Sequence, residues 1–115
     1  MRMAARVIFL LCLLTGAWAQ TPAIRILYPN GGEILNRQSR VEIRWESSGA
    51  GRSLVIVLFK NGLQLAVISP LAVNSGRFEW FIPATLPAGD DYRLRLRSLP
   101  ELALNDFSDK DFSIR

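Results

Sequence analysis

Apolar and polar side chains alternate over short stretches along most of the chain, and clusters of glycine, proline, asparagine and aspartate separate these stretches. The clearest example is residues 41–46, where Val41, Ile43 and Trp45 would share one face. A period of two is typical of a strand with one buried side. Because no stretch keeps a helical period, the pattern predicts an all-β domain. About seven short strands at close spacing, antiparallel in the simplest arrangement, favour an immunoglobulin-like β-sandwich.

Large apolar residues occupy the predicted inward faces of the other strands. They are Ile24, Ile26, Tyr28, Phe78, Trp80, Ile82, Tyr92, Leu94 and Leu96. Trp45 and Trp80, on separate strands, are predicted to form the centre of the core. Tyr92 follows a turn-forming stretch at residues 87–90. That position suits a tyrosine corner, in which the hydroxyl bonds back to the backbone of the preceding turn.

A β-hairpin is predicted around Asn61 and Gly62, which lie between two apolar stretches. Both residue types tolerate the positive φ angles of a type I′ turn, and a two-residue turn fixes the register of the strands that it joins. The predicted register pairs Lys60 with Leu63, Phe59 with Gln64, Val57 with Ala66, and Val55 with Ile68.

The first 19 residues have a different character from the rest of the chain. Arg2 and Arg6 are followed by the apolar run of residues 7–14, and residues 17–19 read Ala-Trp-Ala. This order is typical of a secretory signal peptide that is cleaved after residue 19. The run is also shorter than the roughly 20 apolar residues of a transmembrane helix. We therefore expect an exported domain, residues 20–115, that is secreted, periplasmic or held at the cell envelope without an integral membrane segment.

The amino-acid composition lacks side chains that several kinds of catalytic and metal site need. The chain has no histidine, and its one cysteine, Cys12, lies within the predicted signal peptide. The usual general base, the Ser–His and Cys–His pairs and the commonest zinc ligand are therefore missing. The 14 basic and 10 acidic side chains show no clustered basic excess of the kind that nucleic-acid binding needs. We expect no catalytic residues, no cofactor and no nucleic-acid partner.

Carboxylates are the remaining candidates for chemistry. A calcium ion could take oxygen ligands from the cluster of Asp106, Asp109 and Asp111, but the spacing of these residues fits no known ligand loop. The favoured interpretation is that they are solvated acids in turns and at strand edges, so no metal site is predicted. No pair of carboxylates is marked as facing a common sugar, which a glycosidase would need.

Short motifs in a fixed order carry a resemblance to a known family. They are residues 28–33 (YPNGGE), 41–45 (VEIRW), 58–62 (LFKNG), 78–83 (FEWFIP), 89–94 (GDDYRL) and 112–114 (FSI). Together they resemble the Kre9/Knh1-like N-terminal domain family, also called the Ser-Thr-rich GPI-anchored membrane family. The resemblance implies an immunoglobulin-like sandwich without catalytic residues. Its fungal members are tied to cell-wall β-glucan assembly, and many bacterial relatives are modules of secreted proteins.

One outward face is more apolar than a solvated sheet requires. It is predicted to contain Val55, Val57 and Phe59 on one strand, Ala66 and Ile68 on its hairpin partner, and Arg93, Arg95 and Arg97 on the other neighbour. Two interpretations stay open. The arginine stems could lie over the valines and shield them, or the face could be a contact surface, since exposed apolar patches with arginine mark interaction sites.

The sequence therefore predicts a non-enzymatic binding or structural module at the cell envelope, with an unidentified protein or a second copy of the chain as its partner. The alternative, which depends on the resemblance, is a factor that binds cell-wall polysaccharide or assists its assembly. Carbohydrate platforms usually present exposed aromatic rings. Phe59 and Phe81 are the outward candidates for that role.

Overall fold

The computed structural model describes residues 21–115, and the predicted signal peptide, residues 1–19, lies outside them. The described residues form nine strands in two packed sheets. The strands are β1 (Ala23–Tyr28), β2 (Ile34–Leu35), β3 (Arg40–Ser48), β4 (Ser53–Lys60), β5 (Leu63–Val73), β6 (Arg77–Phe81), β7 (Gly89–Leu99), β8 (Asn105–Phe107) and β9 (Phe112–Ile114). The predicted all-β, immunoglobulin-like sandwich is confirmed. Between residues 21 and 115, no helix is long and apolar enough to cross a membrane.

The two sheets differ in size. The smaller sheet has the order β1-β3-β6, and the larger has the order β2-β9-β7-β4-β5, with β8 pairing β7 beside β9. The pairing is antiparallel except between β2 and β9, which run parallel. Nine strands form where about seven were predicted. Two of them are very short: β2 has two residues, and β8 has three in a polar stretch that shows no alternation.

Inward-facing residues of both sheets form one core, as the alternation predicted. Ile26 and Ile43 of the smaller sheet and Leu96 of the larger sheet are fully buried. Trp45 and Trp80 are also buried, and Trp45 Nε1 donates a hydrogen bond to Asn74 Oδ1 at 2.8 Å. Both tryptophans belong to the smaller sheet. The largest side chains with essentially no exposure are instead Tyr92 and Phe112 of the larger sheet, whose rings stack with centroids 6.1 Å apart.

The predicted tyrosine corner is present. Tyr92 is fully buried, and its hydroxyl donates a hydrogen bond to the carbonyl oxygen of Pro87. Desolvation by the surrounding core raises the pKa of this hydroxyl above its usual value. The bond fastens the turn before β7 to β7 itself, which pairs with β4, β8 and β9.

The predicted hairpin turn is confirmed, and so are the first pairs of its register. Asn61 and Gly62 have φ angles of 51° and 76°, as a type I′ turn requires. Lys60 pairs with Leu63, and Phe59 pairs with Gln64.

Beyond these pairs the predicted register is wrong. The register shifts after Gln64, so Ala66 pairs with Leu58 rather than Val57, and it shifts again so that Ser69 pairs with Ile56. A shift of one residue moves a side chain to the opposite face of the sheet. Ala66 therefore takes the core-facing side with Leu58, and Ile68 packs against the core. Val67 takes the outward position opposite Val57.

Removing the Tyr92 hydroxyl should cost stability without changing the core packing. Tyr92→Phe leaves the Pro87 carbonyl without its donor, and we expect the free energy of unfolding to fall by about 1 kcal/mol. Tyr28→Phe is the matched control, because the Tyr28 hydroxyl makes no hydrogen bond to any of residues 21–115. Urea unfolding should separate the two variants, and an equal loss in both would show that the corner bond contributes nothing.

Candidate functional site

The predicted outward face is built by the pairing of β4 with β7. Their register runs without a shift from Ser53 opposite Leu99 to Lys60 opposite Tyr92. It places the outward residues of β4 beside the arginines of β7, as the sequence predicted. The pairs are Val55 with Arg97, Val57 with Arg95, and Phe59 with Arg93.

Strand β8, which the sequence pattern did not predict, adds an aromatic side chain to this face. Phe107 of β8 pairs with Arg95, so it lies one strand further from Val57 on the same side of the sheet. Its ring meets that of Phe59 edge to face, with centroids 5.1 Å apart and an interplanar angle of 73°. The Arg95 guanidinium carbon lies 5.1 Å from the centroid of the Phe107 ring. The sequence offered one signal for this contact, a single aromatic residue in an otherwise polar stretch.

The apolar stripe is largely covered. Val57 is only 7% exposed although it points away from the core, and Val55 and Phe59 are half-buried. Burial lowers the pKa of Arg95, and the nearby positive charge of Arg97 lowers it further. The two valines are therefore mostly covered, as expected if arginine stems lie over them. The rings of Phe59 and Phe107, by contrast, stay accessible at one end of the face.

Each of the three arginines of β7 is held by an acceptor between residues 102 and 111. Arg93 Nε lies 2.7 Å from Asp111 Oδ1, and Arg95 Nε donates to Asn105 Oδ1 at 3.2 Å. Arg97 Nε donates to the carbonyl oxygen of Leu102 at 2.9 Å. The arginines thus fasten the segment between β7 and β9 along the edge of the outer face.

A cavity of about 420 Å³ opens on this face beside the hairpin turn. Its lining consists of Phe59, Asn61, Gly62, Asp91, Arg93, Phe107 and Asp111. The volume lies within the range of small-ligand and side-chain pockets. Lys60 Nζ is 3.0 Å from Asp91 Oδ1, which fixes that carboxylate at the rim. The site combines two aromatic rings with charged groups of both signs.

Two of the eight predicted site residues lie elsewhere. The register shifts in β5 turn Ala66 and Ile68 away from the outer face. They line a smaller groove of about 190 Å³ between the larger and smaller sheets, together with Trp80 and Phe81. Val67, which was not predicted to be a site residue, stands in their place on the outer face and is 48% exposed.

The aspartates considered as calcium ligands have separate structural partners. The Asp106 carboxylate accepts the backbone N–H of Ile26 at 2.8 Å, and Asp109 accepts the side-chain amide of Asn30 at 2.8 Å. Asp111 pairs with Arg93. Among residues 21–115, no group of three or more acidic side chains is arranged to hold a metal ion.

Comparison with known proteins gives no identification, since neither a family model nor a curated protein matches the sequence. The resemblance noted above therefore stays a prediction. The structure does give part of its first motif, residues 28–33, a local role. The Glu33 carboxylate accepts the backbone N–H groups of Asn30 at 2.9 Å and Gly31 at 2.7 Å, which closes the loop after β1.

Truncating the Phe107 side chain should lower the stability of the domain. Phe107→Ala removes the edge-to-face contact with Phe59 and the ring beneath Arg95. We expect it to lower the free energy of unfolding by about 1 kcal/mol more than Phe81→Ala does, because aromatic pairs contribute about that much beyond buried area. Phe81 is the more exposed ring, at 54% against 37%. Guanidinium unfolding of both variants checks this, and a larger loss for Phe81→Ala would contradict it.

Proposed function

We propose that the chain is an exported, non-enzymatic binding module that contacts a protein partner at the cell envelope or outside the cell. The observation that carries the proposal is the cavity where the rings of Phe59 and Phe107 meet beside the Arg93–Asp111 ion pair. Aromatic and arginine side chains dominate the energetics of protein interfaces. Export is supported by the pattern of residues 1–19, and the lack of catalytic machinery by a sequence without histidine.

The lining of the cavity favours an amphipathic side chain of the partner. It contains the carboxylates of Asp91 and Asp111 and the guanidinium of Arg93. Each carboxylate is already paired, Asp111 with Arg93 and Asp91 with Lys60, so the charges of the cavity are balanced. The apolar part of an arriving side chain would meet the aromatic rings, and its polar end could bond to the charged groups.

The fixed geometry of the cavity also supports a binding role. Phe107 is held between Phe59 and Arg95, and Arg93 is held by Asp111. A side chain that is already ordered loses little conformational freedom when a partner arrives. The site therefore needs no rearrangement of β4, β7 or β8 before contact.

A second candidate is cell-wall polysaccharide binding, which the family resemblance favours. The observation that supports it is the same pair of rings, since a sugar can stack on an aromatic face while Asn61 and the two aspartates accept or donate hydrogen bonds to its hydroxyl groups. Retention of the purified chain on insoluble wall polysaccharide, reduced by Phe59→Ala and not by Phe81→Ala, would favour this candidate over a protein partner.

Site-specific photocrosslinking tests the protein-binding proposal. A photoreactive phenylalanine analogue replaces Phe107 in the full chain, in cells that produce the protein, and replaces Phe81 in a matched variant. We expect a discrete protein adduct only from position 107, because that ring lines the cavity and Phe81 lies away from it. Mass spectrometry of the adduct identifies the partner.

A charge reversal in the cavity provides the control. Arg93→Glu, combined with the photoreactive residue at 107, breaks the ion pair with Asp111 and should weaken the adduct severalfold while the fold, checked by circular dichroism, is kept. Adducts of equal yield from positions 107 and 81, or no adduct from 107 in the producing cells, would contradict a protein-binding role for this cavity.

A further inference from the structure

Asn30 and Asn61 are each followed by a glycine, the neighbour beside which asparagine most readily loses its side-chain amide. The backbone nitrogen of the glycine attacks the side-chain carbonyl carbon of the asparagine, and the absence of a Cβ leaves that approach open. A C–N bond forms between these atoms, the side-chain nitrogen leaves as ammonia, and the product is a cyclic succinimide. Both asparagines therefore carry the same intrinsic reactivity, and the structure around each of them decides which one reacts.

Water completes the reaction by adding to either carbonyl carbon of the succinimide. Cleavage of the bond between the glycine nitrogen and the former side-chain carbon gives aspartate. Cleavage of the bond between that nitrogen and the main-chain carbon gives isoaspartate, in which the backbone runs through the β-carbon. Either product replaces a neutral amide by a carboxylate, which is ionised at neutral pH.

The loop after β1 holds both reacting groups of the first pair. Asn30 Nδ2 donates to Asp109 Oδ2 at 2.8 Å, and Asn30 Oδ1 accepts the backbone N–H of Asp109 at 2.7 Å. The Gly31 N–H donates to Glu33 Oε1 at 2.7 Å, and the adjacent carboxylate charge opposes the loss of the proton that the attack requires. A Cβ at Gly31 would lie 2.7 Å from Lys110 Cβ, so the glycine is also closely packed. Ring closure at Asn30 has to break these contacts first.

The hairpin tip between β4 and β5 leaves both reacting groups of the second pair free. Asn61 and Gly62 are exposed, and within residues 21–115 neither the Asn61 side chain nor the Gly62 N–H forms a hydrogen bond. The Asn61 N–H donates to the carbonyl oxygen of Asp91 at 2.9 Å. A Cβ at Gly62 would meet no atom within 4 Å, so packing does not oppose a change of the backbone angles at the tip.

Ring closure at either pair needs a local opening of the backbone. The turn holds Asn61 at a φ of 51°, and its angles must change before the Gly62 nitrogen reaches the side-chain carbon. Openings of this kind need the least free energy where few contacts hold the chain, and contacts are few at the hairpin tip and many in the loop after β1. We propose that Asn61 is a site of spontaneous deamidation in the folded protein, and that the loop after β1 protects Asn30 from the same reaction.

Deamidation at Asn61 changes the aromatic cavity and the hairpin turn. Asn61 and Gly62 line the cavity, where the carboxylates of Asp91 and Asp111 are each already paired with a cation. A new carboxylate at position 61 therefore gives a balanced lining an excess of negative charge. Isoaspartate also lengthens the backbone of a two-residue turn, whose length fixes the register of the strands that it joins. The reaction itself does not depend on the proposed function, since it needs only the backbone and water.

Peptide mapping of the purified full chain tests the proposal. The protein is incubated in mildly alkaline buffer, digested at acidic pH, where the reaction is slow, and analysed by mass spectrometry after chromatographic separation of the aspartate and isoaspartate peptides. We expect Asn61 to convert at least about tenfold faster than Asn30, a factor that the net strength of one or two hydrogen bonds produces in an opening equilibrium. In guanidinium, which unfolds the chain, the two rates should become similar.

Removing an acceptor from the loop after β1 tests the cause of the protection. Glu33→Ala frees the Gly31 N–H and should raise the conversion rate at Asn30 severalfold without changing the rate at Asn61. Glu79→Ala is the matched control, because this exposed carboxylate pairs with Arg40 on the smaller sheet, and it should alter neither rate. Circular dichroism shows whether both variants keep the fold.

Conversion at Asn30 that equals or exceeds conversion at Asn61 in the folded protein would overturn the proposal. An unreactive Asn61 in folded protein whose unfolded chain reacts at both positions would overturn it as well. A rate at Asn30 that Glu33→Ala leaves unchanged would contradict protection by this carboxylate. The wild-type comparison needs no variant to fold, so it decides the proposal by itself.

Discussion

The pairing of β4 with β7 is the interaction on which the rest of the structure depends. It is the long ladder of the larger sheet that runs without a register shift, from Ser53–Leu99 to Lys60–Tyr92. On one side it fixes Ile56 and Leu96, both fully buried, in the core. On the other side it sets each outward apolar residue of β4 against an arginine of β7. A slip of one residue would exchange these two faces, so the core and the outer face are specified together.

The arginines of β7 link this ladder to the segment that follows it. Because Arg93, Arg95 and Arg97 each find an acceptor between residues 102 and 111, that segment lies against the outer side of the sheet although β8 itself is short. Phe107 is thereby brought onto Phe59 and beneath Arg95. The same contacts stabilise the fold and shape the cavity, so a substitution at Phe107 affects both properties at once.

The fold could be predicted from the sequence where the signal was local. Alternation identified the buried face of β3, the Asn61-Gly62 pair fixed the turn, and the position of Tyr92 after its turn predicted the corner bond. The candidate site was predicted only in part, because its remaining features depend on contacts distant in sequence. The bulges of β5 left no mark in its apolar run, and they moved Ala66 and Ile68 off the face. Phe107 joined the face through a strand too short to show a period.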